Sequence, residues 1–322
     1  MRIGSNPARF VEKVAQPAEI TVTVVNCIPF LSGYYEQSLD VLKTVVESLN
    51  TSRDADHPFD LMVFDNNSCS EVRSYLLDAE VQRKIQYLVL SDTNLGKLGA
   101  WNFMFSAAQG KYIVFADGDV AFRPGWLTAS LDLFDTFPSV GMVTARPYRA
   151  SNKYSKFTED WARKQGPGVL EKGIFIPWET FWEHAKSIGF DEERARKDYM
   201  EDKESDYRLT YKGKIAYVGA GHFQFMARRD LLQKIIPLPS IQPMRGERAL
   251  DEAVDKLGCL RLTTEEALIW HVGNRLPEST LAPRPVQRRG TLLKWLLHLP
   301  GIRHLLLWLY NQIFRLYFFN KD

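Results

Sequence analysis

Apolar and polar positions along the first half of the chain alternate between short β-rich runs and stretches with helical spacing. The short runs are rich in β-branched and aromatic residues and predict strands. The stretches 35–50, 70–83 and 99–110 repeat apolar residues every three or four positions and predict helices. Nearly continuous apolar strands that alternate with helices indicate an α/β fold, whose mostly parallel sheet carries helices on both faces. The predicted strands are 20–26, 59–64, 85–90, 111–116 and 140–145.

Residues 150–213 depart from this alternation. Positions 151–170 follow neither period and predict an irregular segment, whereas 178–204 predicts helix, aromatic at first and densely charged later. The early aromatic residues could floor a sugar site, but their helical spacing favours packing. The segments that follow predict a return to strand patterning at 214–235, a helix at 246–258 and a short strand pair at 260–274.

The segment 291–319 differs in composition from everything before it. Pro300 and Gly301 divide it into two predicted helices, each shorter than the roughly 20 residues that span a bilayer. A wide apolar face with aromatic residues and a narrow basic stripe predicts a helix that lies in the membrane interface. The alternatives are a contact within a homo-oligomer and packing of the helix on the preceding domain.

Composition narrows the class of protein. Apolar residues make up 45% and charged residues 25% of the 322, which are ordinary values for a soluble chain. The net charge of +2 is too small to indicate a nucleic-acid partner. Cys27, Cys69 and Cys259 form no CxxC pair, so we expect neither a disulfide framework nor a zinc site. Because the N-terminal residues lack the apolar core of a signal peptide, we expect a cytoplasmic protein, peripheral on the inner face of the membrane through 291–319.

The clearest chemical signal follows the fourth predicted strand. Asp117 and Asp119 come directly after 111–116, where carboxylates that a strand interior would reject can meet water, a cation or a ligand. Two carboxylates separated by one residue place hard oxygen ligands close together, which suits Mg²⁺ or Mn²⁺ bound to a diphosphate. Gly118 leaves room for a ligand to approach. The tripeptide also occurs in ordinary turns, so its position after the strand is what gives it weight.

Two neighbouring strand ends carry further polar turns. Asp65 follows the second strand and could accept a hydrogen bond from a nucleotide base or a ribose hydroxyl, although Asp and Asn also favour such turns for local reasons. In the next turn Gly96 and Gly99 allow close approach of a nucleotide or sugar, with a plain strand-to-helix turn as the alternative. Further polar side chains of these turns are Asn66, Asn67, Asn94, Lys97 and Asn102.

Taken in order, these segments resemble the family 2 glycosyltransferases of GT-A fold, and the resemblance extends over 18–275. It is carried by Asn26 after an apolar strand, DNNS, NLGKLGAWN, ADGD with Pro124-Gly125-Trp126, the later GAGHFQFMARRDLL and a closing LIWHVGN. The resemblance implies one GT-A domain at 1–275, with a nucleotide-sugar half at 18–145 and an acceptor half at 146–275. Residues 276–322 would form a linker and an amphipathic helical tail.

The resemblance also implies roles for single residues. Asp65 would contact the nucleotide base, Asp117 the ribose or donor, and Asp119 the metal, which would be Mn²⁺ or Mg²⁺. Asp117 would also lie close enough to serve as a metal ligand. His271 would be a further metal or diphosphate ligand, whereas a single His before Gly is by itself more often structural. The residues expected around the nucleotide-diphosphate sugar donor are Asn26, Asp65, Asn67, Asn94, Gly96, Lys97, Asn102, Asp117 and Gly118.

The general base is marked less clearly. Inverting members of the family carry a Glu-Asp pair at a helix start, and this chain has no such pair there. Counting back from Gly258 places Glu247 at the usual position of the base, and Asp251 lies one helical turn later on the same face. Glu247 is slightly favoured over Asp251. Either carboxylate could instead be an N-terminal helix acid stabilised by the helix dipole.

These observations predict metal-dependent transfer of a sugar from a nucleotide-diphosphate sugar to an acceptor hydroxyl, with inversion. The tail alone suggests a lipid-linked or cell-surface glycan as acceptor. One alternative is a nucleotidyltransferase, which would carry a Gly-rich, basic signature after the first strand, where this chain has only Gly33. The other is a non-catalytic scaffold, which Asp117 and Asp119 disfavour and the missing Glu-Asp pair leaves open.

Overall fold

The computed structural model describes residues 3–149, 154–201, 206–242 and 246–276, together with Leu305, Trp308, Leu309, Gln312 and Ile313. The chain divides into two compact units, Met1–Leu276 and Pro277–Asp322. The five described residues of the second unit are helical. The rest of the predicted tail at 291–319 lies outside the described residues, so its membrane association stays a prediction. Within the described parts of the chain, no helix is both long and apolar enough to cross a bilayer.

The strands of the first unit form one large sheet and one small sheet. In chain order they are β1 (Ile20–Asn26), β2 (Phe59–Asn66), β3 (Tyr87–Ser91), β4 (Tyr112–Asp117), β5 (Val120–Phe122), β6 (Val140–Thr144), β7 (Leu170–Gly173), β8 (Asp206–Tyr211), β9 (Lys214–Val218), β10 (Gln224–Arg228), β11 (Leu260–Thr264) and β12 (Ile269–His271). The large sheet has the order β3-β2-β1-β4-β10-β6-β11-β9-β8-β7, and β12 pairs with β5 in the small sheet.

The large sheet is mixed but mostly parallel around the strand ends of interest. Strands β1, β2, β3 and β4 pair in parallel, and β11 pairs in parallel with β6. Strand β10 is antiparallel to both of its neighbours, β4 and β6. This architecture confirms the α/β class, and the five strands predicted in the first half are present. The antiparallel neighbours β9, β8 and β7 extend the sheet at one edge.

Helices cover both faces of the large sheet, which explains why its central strands β2 and β4 are largely apolar. Along β2, Leu61 and Val63 belong to one hydrophobic cluster, whereas Met62 and Phe64 belong to a second cluster on the opposite face. The helices are α1 (Ser38–Thr51), α2 (Ser70–Val81), α3 (Gly96–Ala107), α4 (Trp126–Thr136), α5 (Lys156–Lys164), α6 (Trp178–Ser187), α7 (Glu192–Glu201), α8 (Arg229–Ile235) and α9 (Arg248–Lys256).

A cluster of aromatic rings fixes α3 against the sheet. Trp101 is fully buried and lies edge-on to Phe115 of β4 and Phe225 of β10, with ring centroids 5.0 and 5.6 Å away. Phe105, one turn later, stacks on Trp101 at 5.8 Å. Aromatic pairs at these separations add to the stability gained from burial. The packing therefore holds the first turn of α3, with its polar residues, beside the carboxyl end of β4.

Two predictions for the second half were wrong in detail. Part of the segment predicted to be irregular, 151–170, is the helix α5, which buries Thr158 and Ala162 against the sheet. The strand pair predicted at 260–274 does not form: β11 lies between β6 and β9, while β12 pairs with β5. The first error missed the helical spacing of Phe157 and Trp161, four residues apart, and the second concerns tertiary pairing, which local spacing does not encode.

The aromatic residues of α6 pack against each other and against α7. The rings of Trp178 and Trp182 are stacked at 5.9 Å with an interplanar angle of 5°. Tyr199 of α7 lies edge-on to Trp178 at 5.4 Å. The predicted helix at 178–204 is divided by a turn in which Gly189 has φ of 89°. These contacts agree with the packing role that helical spacing favoured.

Candidate functional site

The Asp-Gly-Asp turn lies where β4 ends at the carboxyl edge of the sheet. Asp117 is the last residue of β4, and Asp119 directly precedes β5. A Cβ atom added at Gly118 would lie 3.0 Å from the backbone oxygen of Val25 and 3.1 Å from the Cβ of Asn26. The close approach of β1 therefore requires glycine at this position. The space that the sequence predicted for a ligand beside Gly118 is therefore partly occupied by the backbone of β1.

Asp117 forms an ion pair with Lys97 of α3. Lys97 Nζ donates to Asp117 Oδ2 at 2.7 Å and lies 5.2 Å from the ring centroid of Phe115. Burial raises the pKa of the Asp117 carboxyl; Lys97 opposes this effect, and nearby Asp119 adds to it. The structure thus brings together the predicted donor-site residues Asp117 and Lys97 from two elements.

Asp119 faces His271 of β12. Asp119 Oδ2 is 3.6 Å from His271 Nε2, and Asp119 Oδ1 is buried without a hydrogen-bond partner among the described residues. The hydroxyl of Ser187 donates to the carbonyl of His184 at 2.7 Å and lies 2.9 Å from His271 Nδ1. Because that hydroxyl has already donated its proton, it accepts from Nδ1–H, and neutral His271 directs the lone pair of Nε2 towards Asp119.

These groups fit a divalent cation. A carboxylate oxygen and an imidazole lone pair that face each other repel unless a cation or a proton lies between them, and an unpartnered buried oxygen is costly by itself. Oxygen and imidazole ligands suit Mn²⁺, and carboxylates suit Mg²⁺. Within the described residues, no group of three or more His, Cys, Asp or Glu side chains could hold a metal alone. The remaining ligands would have to come from a bound molecule or water.

Asp65 lies at the end of β2 and is fully buried. It accepts hydrogen bonds from Asn26 Nδ2 at 2.8 Å and from Arg73 Nε at 3.1 Å, and the backbone N–H of Ser68 donates to it at 3.2 Å. Asn26 Oδ1 is buried without a partner in the described part of the chain. Asp65 therefore ties β1, β2 and α2 together. Nothing in the local pattern of Arg73 distinguishes it from a solvated helix residue, so its contact with Asp65 was not predictable from the sequence.

The two turns after β2 and β3 are linked by a chain of amide hydrogen bonds. Asn66 Nδ2 donates to Asn94 Oδ1 at 2.9 Å, and the backbone N–H of Gly96 donates to the same oxygen at 2.8 Å. Gly96 begins α3 with φ of 69°, a conformation that glycine adopts without strain. Asn67 is exposed, with φ of 70°. Of the predicted residues here, Asn94 and Gly96 are hydrogen-bonded to each other, whereas the exposed Asn67 takes no part in these hydrogen bonds.

Two other residues of the predicted donor-site segment, Gly99 and Asn102, lie within α3 and are engaged in packing. The Asn102 amide bonds the backbone of Leu238 twice: Nδ2 donates to its oxygen at 2.8 Å, and Oδ1 accepts from its N–H at 2.7 Å. A Cβ added at Gly99 would lie 2.8 Å from the Cβ of Leu95 and 3.3 Å from Ser240 Oγ. The structure therefore uses Asn102 and Gly99 to hold the chain around Leu238.

The two candidate bases differ in their surroundings. Asp251 lies in the first turn of α9 and is only 2% exposed. Its Oδ1 accepts from Arg261 Nη2 at 2.5 Å, and its Oδ2 is 2.5 Å from His222 Nε2. Glu247 directly precedes α9 and is half-buried. His222 and Arg261 are site residues that sequence analysis missed, although His222 lies inside the quoted GAGHFQF segment.

His184 forms a triangle of rings with Phe223 and His271: its ring centroid lies 5.0 Å from that of Phe223 and 5.7 Å from that of His271, and the latter two are 5.8 Å apart. Burial lowers the pKa of His184 from 6.5 to about 3, and Arg146 and His271 add to the effect. Between these two values the unfolded chain binds a proton that the folded protein does not bind. Stability therefore rises with pH across this window.

We expect this histidine to make the protein sensitive to acid. Lowering the pH from 7 to 5 should reduce the free energy of unfolding by about 2 kcal/mol through His184. Urea unfolding at both pH values measures the effect, and His184→Leu should show that much less dependence on pH. His57→Gln, at a partly exposed position elsewhere, is the matched control. An equal pH dependence in wild type and His184→Leu would contradict the assignment.

Known proteins resemble this chain at low sequence identity. An uncharacterized glycosyltransferase of Nostoc sp. is 27% identical over 112 residues, which are 35% of this chain and 34% of the relative. A mannosyltransferase from Pyrobaculum calidifontis, solved with GDP-Man and Mn²⁺, is 15% identical over 83% of this chain and 63% of its own, with a TM-score of 0.45. TarS of S. aureus, residues 1–349 with UDP-GlcNAc, is 13% identical over 82% and 62%, with a TM-score of 0.47. The chain thus spans about a third of the curated relative and under two thirds of these structures.

A family model matches a larger part of the chain. The model of glycosyl transferase family 2 aligns with residues 33–234, more than half of the sequence, and covers Asp65, Lys97, Asp117 and Asp119. The match confirms the resemblance that the ordered motifs carry, and the α/β sheet is the architecture that the resemblance implied. The chain belongs to glycosyl transferase family 2.

Proposed function

We propose that this protein transfers a sugar from a nucleotide-diphosphate sugar to an acceptor hydroxyl, with a divalent cation and with inversion at the anomeric carbon. The observation that supports this most directly is the buried, unpartnered Oδ1 of Asp119 beside the Nε2 lone pair of His271. Both atoms lie at the carboxyl edge of the sheet, where α/β proteins bind nucleotides. No feature of the described residues favours nucleotidyl transfer, and the scaffold is supported only by the missing Glu-Asp pair.

Asp119 and His271 would hold the cation, which would be Mn²⁺ or Mg²⁺. When bound, the cation would neutralise the negative charge that develops on the departing diphosphate. Lys97 adds a positive charge at the same edge, where it is paired with Asp117. Asp117 would contact the ribose or another part of the donor, and would be a second ligand of the cation. The charges on these side chains are placed before the substrate arrives, so little reorganisation is needed during the reaction.

The nucleotide would lie over the ends of β1 and β2. Asp65 is oriented by Asn26 and Arg73, and it would accept a hydrogen bond from the base. Asn94 and Gly96 would shape the adjoining turn against the nucleotide or sugar. A single in-line displacement at the anomeric carbon gives inversion, and it requires a general base for the acceptor hydroxyl. Glu247 and Asp251 of the acceptor half are the carboxylates proposed from the sequence for that role.

The proposed acceptor is a lipid-linked or cell-surface glycan. This part rests on the amphipathic pattern of 291–319, which would place the protein on the inner face of the membrane. Among the described tail residues, Leu305, Trp308 and Ile313 are exposed apolar side chains. Deletion of 291–322 should release the protein from vesicles that contain anionic lipid. Equal vesicle binding with and without these residues would contradict the membrane proposal while leaving the transfer reaction unaffected.

A donor screen tests the reaction itself. Thermal unfolding of the protein with UDP-, GDP- and dTDP-sugars, each with and without Mn²⁺, should show one nucleotide class that stabilises it only when Mn²⁺ is present. At a donor concentration a hundred times Kd, the expected stabilisation is about 2.7 kcal/mol. The matched control is the same nucleotide series with EDTA. If no donor stabilised the protein in a metal-dependent way, the proposal would fail.

A further inference from the structure

The loop between β9 and β10 lies directly beside the Asp-Gly-Asp turn. Strand β10 is antiparallel to β4, with Gln224 opposite Ala116, so the start of β10 lies at the carboxyl end of β4. The backbone N–H of Asp117 donates to the carbonyl of Phe223 at 2.8 Å. His222, one residue earlier, therefore lies level with the turn that follows Asp117.

His222 is held by a buried carboxylate. Its Nε2 lies 2.5 Å from Asp251 Oδ2, and Asp251 Oδ1 accepts from Arg261 Nη2 at 2.5 Å. The side chains of Asp251 and Arg261 are 3% and 2% exposed, whereas that of His222 is 29% exposed. Of this chain of three groups, His222 is the one that a substrate can reach.

The carboxylate also determines which ring nitrogen of His222 can accept a proton. An ionised Asp251 accepts hydrogen bonds only, so neutral His222 carries its proton on Nε2 and its lone pair on Nδ1. No described residue hydrogen-bonds to that Nδ1. Tyr148 is a further titratable group beside this chain: its hydroxyl and Arg261 Nη2 both donate to the carbonyl of Ala220, two residues before His222. A histidine oriented by a buried carboxylate is a common arrangement for a general base.

We propose that His222 is the general base of the transfer reaction, oriented by Asp251, an inference that rests on the function proposed above. The oxygen of the acceptor hydroxyl forms a bond to the anomeric carbon, and its proton moves to Nδ1 of His222. The bond from the anomeric carbon to the diphosphate oxygen breaks, and its electron pair leaves with the nucleoside diphosphate. Asp251 stabilises the resulting imidazolium, which then releases its proton to water. Asp251 is thus a positioning residue, because it acts on the acceptor only through His222.

The test uses the full chain, Mn²⁺ and the donor found in the thermal screen, with water as the acceptor probe. Release of nucleoside diphosphate is followed against pH for wild type, His222→Gln and His222→Ala. We expect both variants to lose about 100-fold in kcat, with KM for the donor unchanged. The decline of kcat at acid pH in wild type should disappear in His222→Gln. Added imidazole should restore part of the rate of His222→Ala.

Three further variants separate the outcomes. Asp251→Asn should lower kcat without a change in donor KM, and imidazole should not restore it because His222 is still present. His57→Gln is the matched control and should keep the wild-type rate. Retention of more than a third of the wild-type rate by His222→Gln, or a loss confined to Glu247→Gln, would overturn the proposal. Wild-type protein that releases no nucleoside diphosphate from any donor would instead contradict the proposed function itself.

Discussion

Replacing Asp119 by alanine is expected to reduce donor turnover about 1,000-fold, because the variant lacks a proposed ligand of the cation that would neutralise the leaving diphosphate. The fold should persist. Asp119 Oδ1 has no hydrogen-bond partner among the described residues, and the side chain is 34% exposed. Removing its charge also relieves repulsion with Asp117, whose pKa it raises. Turnover is measured as release of nucleoside diphosphate with Mn²⁺, and metal-dependent thermal stabilisation by the donor should disappear as well.

The matched control for that variant is Asp132→Ala. Asp132 forms an exposed ion pair with Lys214, and loss of such a pair changes stability by about 1 kcal/mol or less. The Asp132→Ala variant should therefore keep the wild-type rate of donor turnover. Wild-type activity in Asp119→Ala would show that the Asp-Gly-Asp turn is not the cation site. Equal loss in both variants would point to a general effect of removing a carboxylate.

The largest loss of stability is expected from Arg261→Leu, at about 3–5 kcal/mol. The Arg261 guanidinium is buried and donates to Asp251, to the carbonyls of Tyr154 and Ala220, and to Ser155. Without it, the Asp251 carboxylate stays buried with His222 as its remaining partner. The free energy of unfolding in urea at pH 7 measures the effect.

A second variant and a control identify the cause of that loss. Replacing both Arg261 and Asp251 by leucine should recover part of the stability, because no uncompensated charge is then buried. Arg163→Leu removes a mostly exposed guanidinium from its pair with Glu159 and should cost less than about 1 kcal/mol. If Arg261→Leu cost no more than Arg163→Leu, the buried chain of charges would not stabilise the fold.

Much of the fold was predictable because the strands of a sheet covered on both faces are apolar at consecutive positions. The run at 59–64 is apolar except at Asp60 for that reason, and it forms most of β2. Segments whose partners are distant were less predictable. The helix α5 is only nine residues long, and it is positioned by contacts such as the one in which Thr158 Oγ1 accepts from the N–H of Arg261.

The candidate site was predictable where polar residues follow strands. Asp117 and Asp119 follow β4, and Asp65 ends β2, so strand prediction alone placed them at one edge. Arg73 and His222 could not be found in this way. Their partners, Asp65 and Asp251, are 8 and 29 residues away in sequence, and each pair forms only when separate elements pack.

The sequence by itself determined the class of fold, the edge of the sheet at which the candidate site lies and the family to which the chain is similar. This was possible because burial and strand ends produce local patterns of apolar and polar residues, which are visible in the sequence alone. Only the tertiary structure decided which carboxylates can meet a ligand. Asp119 precedes a strand and Asp251 lies in a helix. Asp119 has one oxygen without a described partner and the other near His271, whereas Asp251 is enclosed by Arg261 and His222. That difference arises from long-range packing, which sets both the solvation of a charge and its partners.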